Sequence, residues 1–249
     1  MNYIYGYLIG CFVLLIVWLL FFLWRKENRK IMLWVSLIVG VCGLIADPVY
    51  YLDWWHPLTI TGTVPGIESF LFGFAVGGIA SVAYEDLYSS KIKIKKVGKK
   101  GVIRENVNLI ALLLFAIAIF IFCYFTLRMG SFKASFPAML IPIFIIWIKR
   151  RDLIFDSIAA GFLLSVISFV FYIVPEFLFP GWIQSSWSFE NISGITLLKV
   201  PIEDVVWYFI SGMLVGPLYE YWKEAKVKDS KLEKEIIREE RKIKKRFAK

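Results

Sequence analysis

Seven nearly uncharged apolar runs divide this chain of 249 residues, and most of its charges fall in short blocks between them. A backbone that crosses hydrocarbon must satisfy its own N–H and C=O groups, so runs of this kind cross as helices. The runs are Tyr5–Trp24, Ile31–Tyr51, Ile67–Tyr84, Val107–Leu127, Ser135–Ile148, Leu153–Phe179 and Val205–Tyr219. Roughly 17 to 25 apolar residues suffice for one crossing. The fifth run is short and holds Pro137 and Pro142. With 59% hydrophobic residues and a mean hydropathy of +0.67, the composition excludes a soluble domain. The first run has neither a basic leader nor a small-residue cleavage site, so it reads as a retained helix. The fold class expected is an all-α polytopic membrane protein with seven transmembrane helices.

The net charge of +9 invites a nucleic-acid reading, but the placement of the charges opposes it. Of 29 Lys and Arg, 26 lie after the first, third, fifth and seventh runs, and only Arg128, Lys133 and Lys199 lie on the other side. That asymmetry predicts an N-terminus outside and a C-terminal tail in the cytoplasm, in the plasma membrane. The tail, 223–249, mixes Lys, Arg and Glu at helical spacing, as a solvated helix or a lipid-surface anchor does.

The chain also repeats itself. Aligning Glu203 on Glu68, an offset of 135, superimposes Gly212 on Gly77, Tyr219 on Tyr84 and Glu220 on Glu85. Each copy opens on a proline-led acidic turn, continues through an apolar run and closes on Tyr-Glu before lysines. The layout expected is a first three-helix repeat (1–90), a basic loop with a connecting helix (91–133), a second three-helix repeat (134–222) and the tail. One inverting helix between the repeats makes them parallel. The first helix, free of charge from Met1 to Trp24, is expected to be lipid-facing scaffold.

Cys11, Cys42 and Cys123 have unrelated spacings, and His56 is the only histidine, so no metal set or disulfide framework is read. A glycine-rich dinucleotide fingerprint is absent, and no cofactor is expected. Asp152 and Asp156 form a DxxxD pair that could hold a magnesium diphosphate. A helix start after three basic residues explains them more simply.

The acids at the helix starts carry more. Between Asp204 and Glu220 stand only 15 uncharged residues, about 22 Å of helix against a hydrocarbon core of about 30 Å. At least one carboxylate per copy must reach into the core edge, snorkel or face the bundle interior, and acids so placed are functional candidates. Glu203, Asp204 and Glu68 are the catalytic candidates, and Glu220, Glu85, Asp47 and His56 are secondary ones. A carboxylic acid in a shared cleft would be desolvated, kept protonated and able to act as a general acid. An acid in the first turn is also what any helix start prefers. Trp207, Phe70, Trp54, Trp55 and Tyr51 surround the same end, as an interfacial belt or as walls that stabilise a cation.

The segment Pro201-Ile202-Glu203-Asp204, with an aromatic-rich helix and Pro217-Leu218-Tyr219-Glu220 after it, resembles the P-x-E-[E/D] motif and trailing Tyr-Glu of the membrane lycopene cyclase domain. Pro65 to Glu85 is similar to the motif of the family's other subunit, with Gly66 inserted and Ser69 in place of the second acid. Trp207 replaces the family's usual Phe. The three-plus-one-plus-three layout suits the fused form. The resemblance implies cyclisation of the linear ends of lycopene into ionone rings, a non-redox isomerisation. The residues fit that chemistry with Glu203 as the first choice of proton donor, Glu68 as the second, and a carboxylate such as Asp204 as the acceptor. The partners implied are a lipophilic polyene and membrane lipid, with a second copy of the chain left open. A small-solute transporter and a non-catalytic relative of the cyclases are the competing readings; a retinal protein is excluded, since Lys199 and Lys223 flank the last run and none lies within it.

Overall fold

The computed structural model describes residues 3–82, 92–93, 99–223 and 226–227, without the side chains of 92–93, 99–102 and 226–227. The principal helices are α1 (Gly6–Trp24), α2 (Arg29–Tyr51), α3 (Ile67–Ala80), α4 (Lys99–Ile121), α5 (Ser131–Lys149), α6 (Ile154–Leu178) and α7 (Ile202–Val215). Five of them, α1, α2, α4, α5 and α6, are long and apolar enough to cross a membrane. The other two, α3 and α7, have 14 residues each, about 21 Å of helix. Gly216 and Pro217 interrupt the last run, which resumes as a short helix, Leu218–Trp222. The fifth run is longer than its apolar stretch suggested. It extends over 19 residues with both prolines inside, the freed carbonyls being tolerable where neighbouring helices surround them.

Two helix pairs form the frame: α2 packs along α3, and α6 along α7. Glycines let both pairs approach closely. A Cβ at Gly73 would stand 2.5 Å from the Val39 carbonyl, and one at Gly212 would stand 2.6 Å from the Ala160 carbonyl. Small residues at such contacts are what lipid, which supplies no hydrophobic drive between helices, requires. The first helix is more than lipid-facing scaffold. It packs against both α3 and α6, burying Tyr7, Gly10, Cys11 and Leu14 while Phe12, Ile16, Leu19 and Leu23 remain exposed.

The two ends of the bundle differ chemically. At the basic end Arg150 forks onto Asp152 and also donates to the Glu220 carbonyl, and Lys223 meets Glu105 at 3.8 Å. At the aromatic end two loops join by backbone hydrogen bonds, His56 N–H to Ser186 O at 2.9 Å and Ser188 N–H to Trp54 O at 3.0 Å. Asp53 fixes that union to α5, accepting from both the amide and the hydroxyl of Ser131. Trp182, from the short helix Trp182–Ser186, fills the core beneath with no exposed surface.

Gly212→Ala tests this close packing. The added methyl meets backbone and cannot rotate away, so it should cost about 1–3 kcal/mol, read as a lower melting temperature of the detergent-solubilised protein.

Candidate active site

Asp204, Trp207, Ser211 and Val215 recur at three- and four-residue steps and form one stripe of α7. Val39, Cys42, Gly43, Ala46 and Tyr50 form a matching stripe of α2. Between the stripes lies a cavity of about 240 Å³. Tyr7 of α1, Ser69 and Phe72 of α3, Tyr172 of α6, and the loop residues Trp54 and Trp55 complete its walls.

Asp204 is 3% exposed, and its Oδ2 has no hydrogen-bond partner. The phenol of Tyr172 stands beside the carboxyl. Asp47 lines the same cavity from α2, and the Ser69 hydroxyl donates to its Oδ2 at 2.8 Å. Two carboxyls therefore share a small, largely apolar space with seven aromatic rings on its walls. Trp55 meets Tyr7 edge-on at 5.4 Å, and Tyr50 meets Trp207 edge-on at 6.2 Å.

Glu203 and Glu68 turn elsewhere. Glu203 Oε1 accepts the Ser193 amide at 2.6 Å, and Glu68 Oε1 accepts the Ile60 amide at 2.7 Å. Neither lines the cavity. Each ties the loop preceding its helix to that helix's first turn, where a carboxylate also complements the exposed N–H groups. The second oxygen of each is buried without a hydrogen-bond partner.

Of the aromatic candidates, Trp54, Trp55 and Trp207 line the cavity, and Phe70 and Tyr51 do not. Phe70 packs over Gly40 and beside Phe74. Tyr51 is 36% exposed and meets His56 edge-on. His56 holds the joined loops, its Nδ1 lying 3.3 Å from Ser188 Oγ, and partial burial pushes its imidazole below the usual histidine range. Glu220 is buried at the basic end, away from the cavity, and Glu85 lies outside the described residues.

The sequence reading did not single out Tyr7, Tyr172 or Ser211, and it treated Ser69 only as a missing acid. Tyr7 and Tyr172 sit in apolar runs 165 positions apart, so no local pattern joins them. The alignment of Glu203 on Glu68 offered one usable signal: it sets Ser69 on Asp204, and both line the cavity.

Glu68→Ala should leave the Ile60 amide without its charged acceptor and cost about 1.5–3 kcal/mol. Faster proteolysis between Thr59 and Gly66, with lower thermal stability, would register that loss.

Residues 130–222 match the family model described as lycopene cyclase. No curated protein and no solved structure matches the chain. The matched segment contains α5, α6 and α7 and with them Tyr172, Asp204 and Trp207. It supports a carotenoid cyclase function in general terms, and the apolar helices agree with a membrane protein acting on a lipophilic substrate. The match covers the segment that carries the Asp204 side of the cavity, and over that segment the chain is similar to the lycopene cyclase family.

Proposed function

We propose that this protein closes the linear end of a lycopene-type polyene into an ionone ring by acid catalysis, with Asp204 as the proton donor. The observation that carries the proposal is the buried Asp204 oxygen without a hydrogen-bond partner, facing a ring-walled cavity inside the family-matched segment. Burial among rings favours a neutral, proton-carrying acid over a lone carboxylate. The proton passes to the terminal alkene and leaves a tertiary carbocation. The neighbouring double bond attacks that carbon to close a six-membered ring, and the charge moves onto the ring. A ring C–H then gives up its proton, and product and substrate are isomers. No electron is gained or lost.

Asp47 is the proposed acceptor. Ser69 donates a hydrogen bond to its Oδ2, and the hydroxyls of Ser69, Tyr7 and Tyr172, all on the cavity wall, offer a route for returning the proton to Asp204. The faces of Trp54, Trp55 and Trp207 stabilise the transient cation. Glu203 and Glu68 position the loops and do not touch substrate. This assignment departs from the one the motif suggests, in which Glu203 donates and Asp204 accepts.

The same proposal reads α3 and α7 as shortened crossings, each the third helix of a three-helix repeat, and puts the aromatic end outside. Supporting it, Tyr3 bonds Pro180 O at one end of the bundle while Lys223 meets Glu105 at the other. Opposite ends for the two termini require an odd number of crossings.

Asp204→Asn should lower ring formation about 10²–10⁴-fold in lycopene-accumulating cells, while Glu203→Gln, which keeps an accepting Oε1, should retain most of it. Pigment analysis by mass and absorption spectrum reads both. Wild-type ring formation by Asp204→Asn, at equal protein in the membrane, would falsify the assignment.

A further inference from the structure

The cavity is unevenly enclosed. α2 packs along α3, and α7 along α6 and α5, whereas α2 and α7 face each other across the cavity and meet edge-on at Tyr50 and Trp207 without comparable packing along their lengths. On the α2 side Cys42 both lines the cavity and is exposed on the outer surface. Its neighbours Val41 and Ile45, 50% and 70% exposed, belong to the lipid-facing surface of the same helix. Small side chains border the gap: Cys42, Gly43 and Ala46 on one edge and Ser211 on the other. Cys42 stands 13 residues beyond Arg29, roughly 20 Å along the helix, within a hydrocarbon core about 30 Å thick. At the aromatic end the joined loops and the Trp54, Trp55 and Trp187 rings cover the bundle.

We infer that the cavity opens sideways into the bilayer between α2 and α7, and that a linear polyene passes one end through this gap beside Cys42 while the rest of its length stays in lipid. The inference rests on the cyclase reading for its substrate and on the cavity geometry for its route. A volume of about 240 Å³ is below the roughly 300–1,000 Å³ that encloses a drug-sized ligand, so the site takes an end group and not the whole molecule. A route through hydrocarbon also spares an apolar chain any passage through water.

Phenylalanine substitutions on α2 test the route in liposomes loaded with lycopene. Cys42→Phe and Ala46→Phe narrow the gap; Val41→Phe and Ile45→Phe add the same ring to the lipid face. Initial cyclisation rates at limiting lycopene should fall at least tenfold in the first two and stay within twofold of wild type in the others. Binding is read separately, as quenching of tryptophan fluorescence by lycopene, which these variants permit because none adds or removes a tryptophan. Reduced quenching in Cys42→Phe and Ala46→Phe alone supports the portal. Equal quenching and equal rates in all four overturn it. If the wild-type protein forms no ring from lycopene, the cyclase reading fails, and the quenching series still decides the route. Should Cys42→Phe not fold, Ala46→Phe carries the same comparison one turn along the helix.

Discussion

The structure depends on keeping carboxyl groups inside an apolar bundle. Moving an ionised carboxylate out of water is so costly that a buried acid is retained only where it is paired, hydrogen-bonded or kept neutral. The chain uses different arrangements within a few residues. Glu68 and Glu203 each accept a loop amide, Asp47 accepts a serine hydroxyl, and Asp204 keeps one oxygen uncommitted. Glu68 and Glu203 also keep one oxygen uncommitted, but of the three only Asp204 lines the cavity. The aromatic rings around it both exclude water and offer faces to a cation, so the cost of burial and the proposed chemistry share one cause.

The division of labour between Glu203 and Asp204 turns on helix geometry. Consecutive residues point about 100° apart, so one of two adjacent acids faces the bundle axis and its neighbour faces the preceding loop. In the first half the same register puts Glu68 on the loop and Ser69 on the cavity. The acid missing at that position is then supplied by Asp47, one helix away and bonded to that very serine. The two halves thus reach similar ends by different residues, and a comparison of motif against motif undercounts the carboxyls of the first half.

Much of the frame was legible in the chain itself. Long uncharged runs gave the helices, and the basic blocks separated one end of the bundle from the other. Of the acids in the starts of α3 and α7, Asp204 lies on the cavity wall. What the sequence withheld was which of two adjacent acids turns inward, because that depends on loop amides eight and ten residues upstream. Tyr7 and Tyr172 were equally hidden, since a tyrosine in an apolar run has the same local signature in a belt as in a cavity wall. Charge-free composition made α1 read as scaffold, although one face of it is core; its hydrophobic residues are nearly uniform around the helix, so periodicity carried little information.

Shape connects the site to its surroundings. A soluble enzyme acting on a long hydrocarbon would have to enclose it, and a bundle of this size has no room for that. The bilayer removes the requirement: lipid solvates whatever part of the polyene is not reacting, and the protein needs only a dry recess for one end. A recess that small can be built between two glycine-packed helix pairs whose facing helices, α2 and α7, meet at Tyr50 and Trp207 without the close packing found inside each pair. Closing the aromatic end with mated loops would then keep water from the proposed carbocation, which water would otherwise trap. On this argument the small cavity and the unsealed seam between α2 and α7 belong together, since a site enclosed on every side would leave the rest of the substrate nowhere to go.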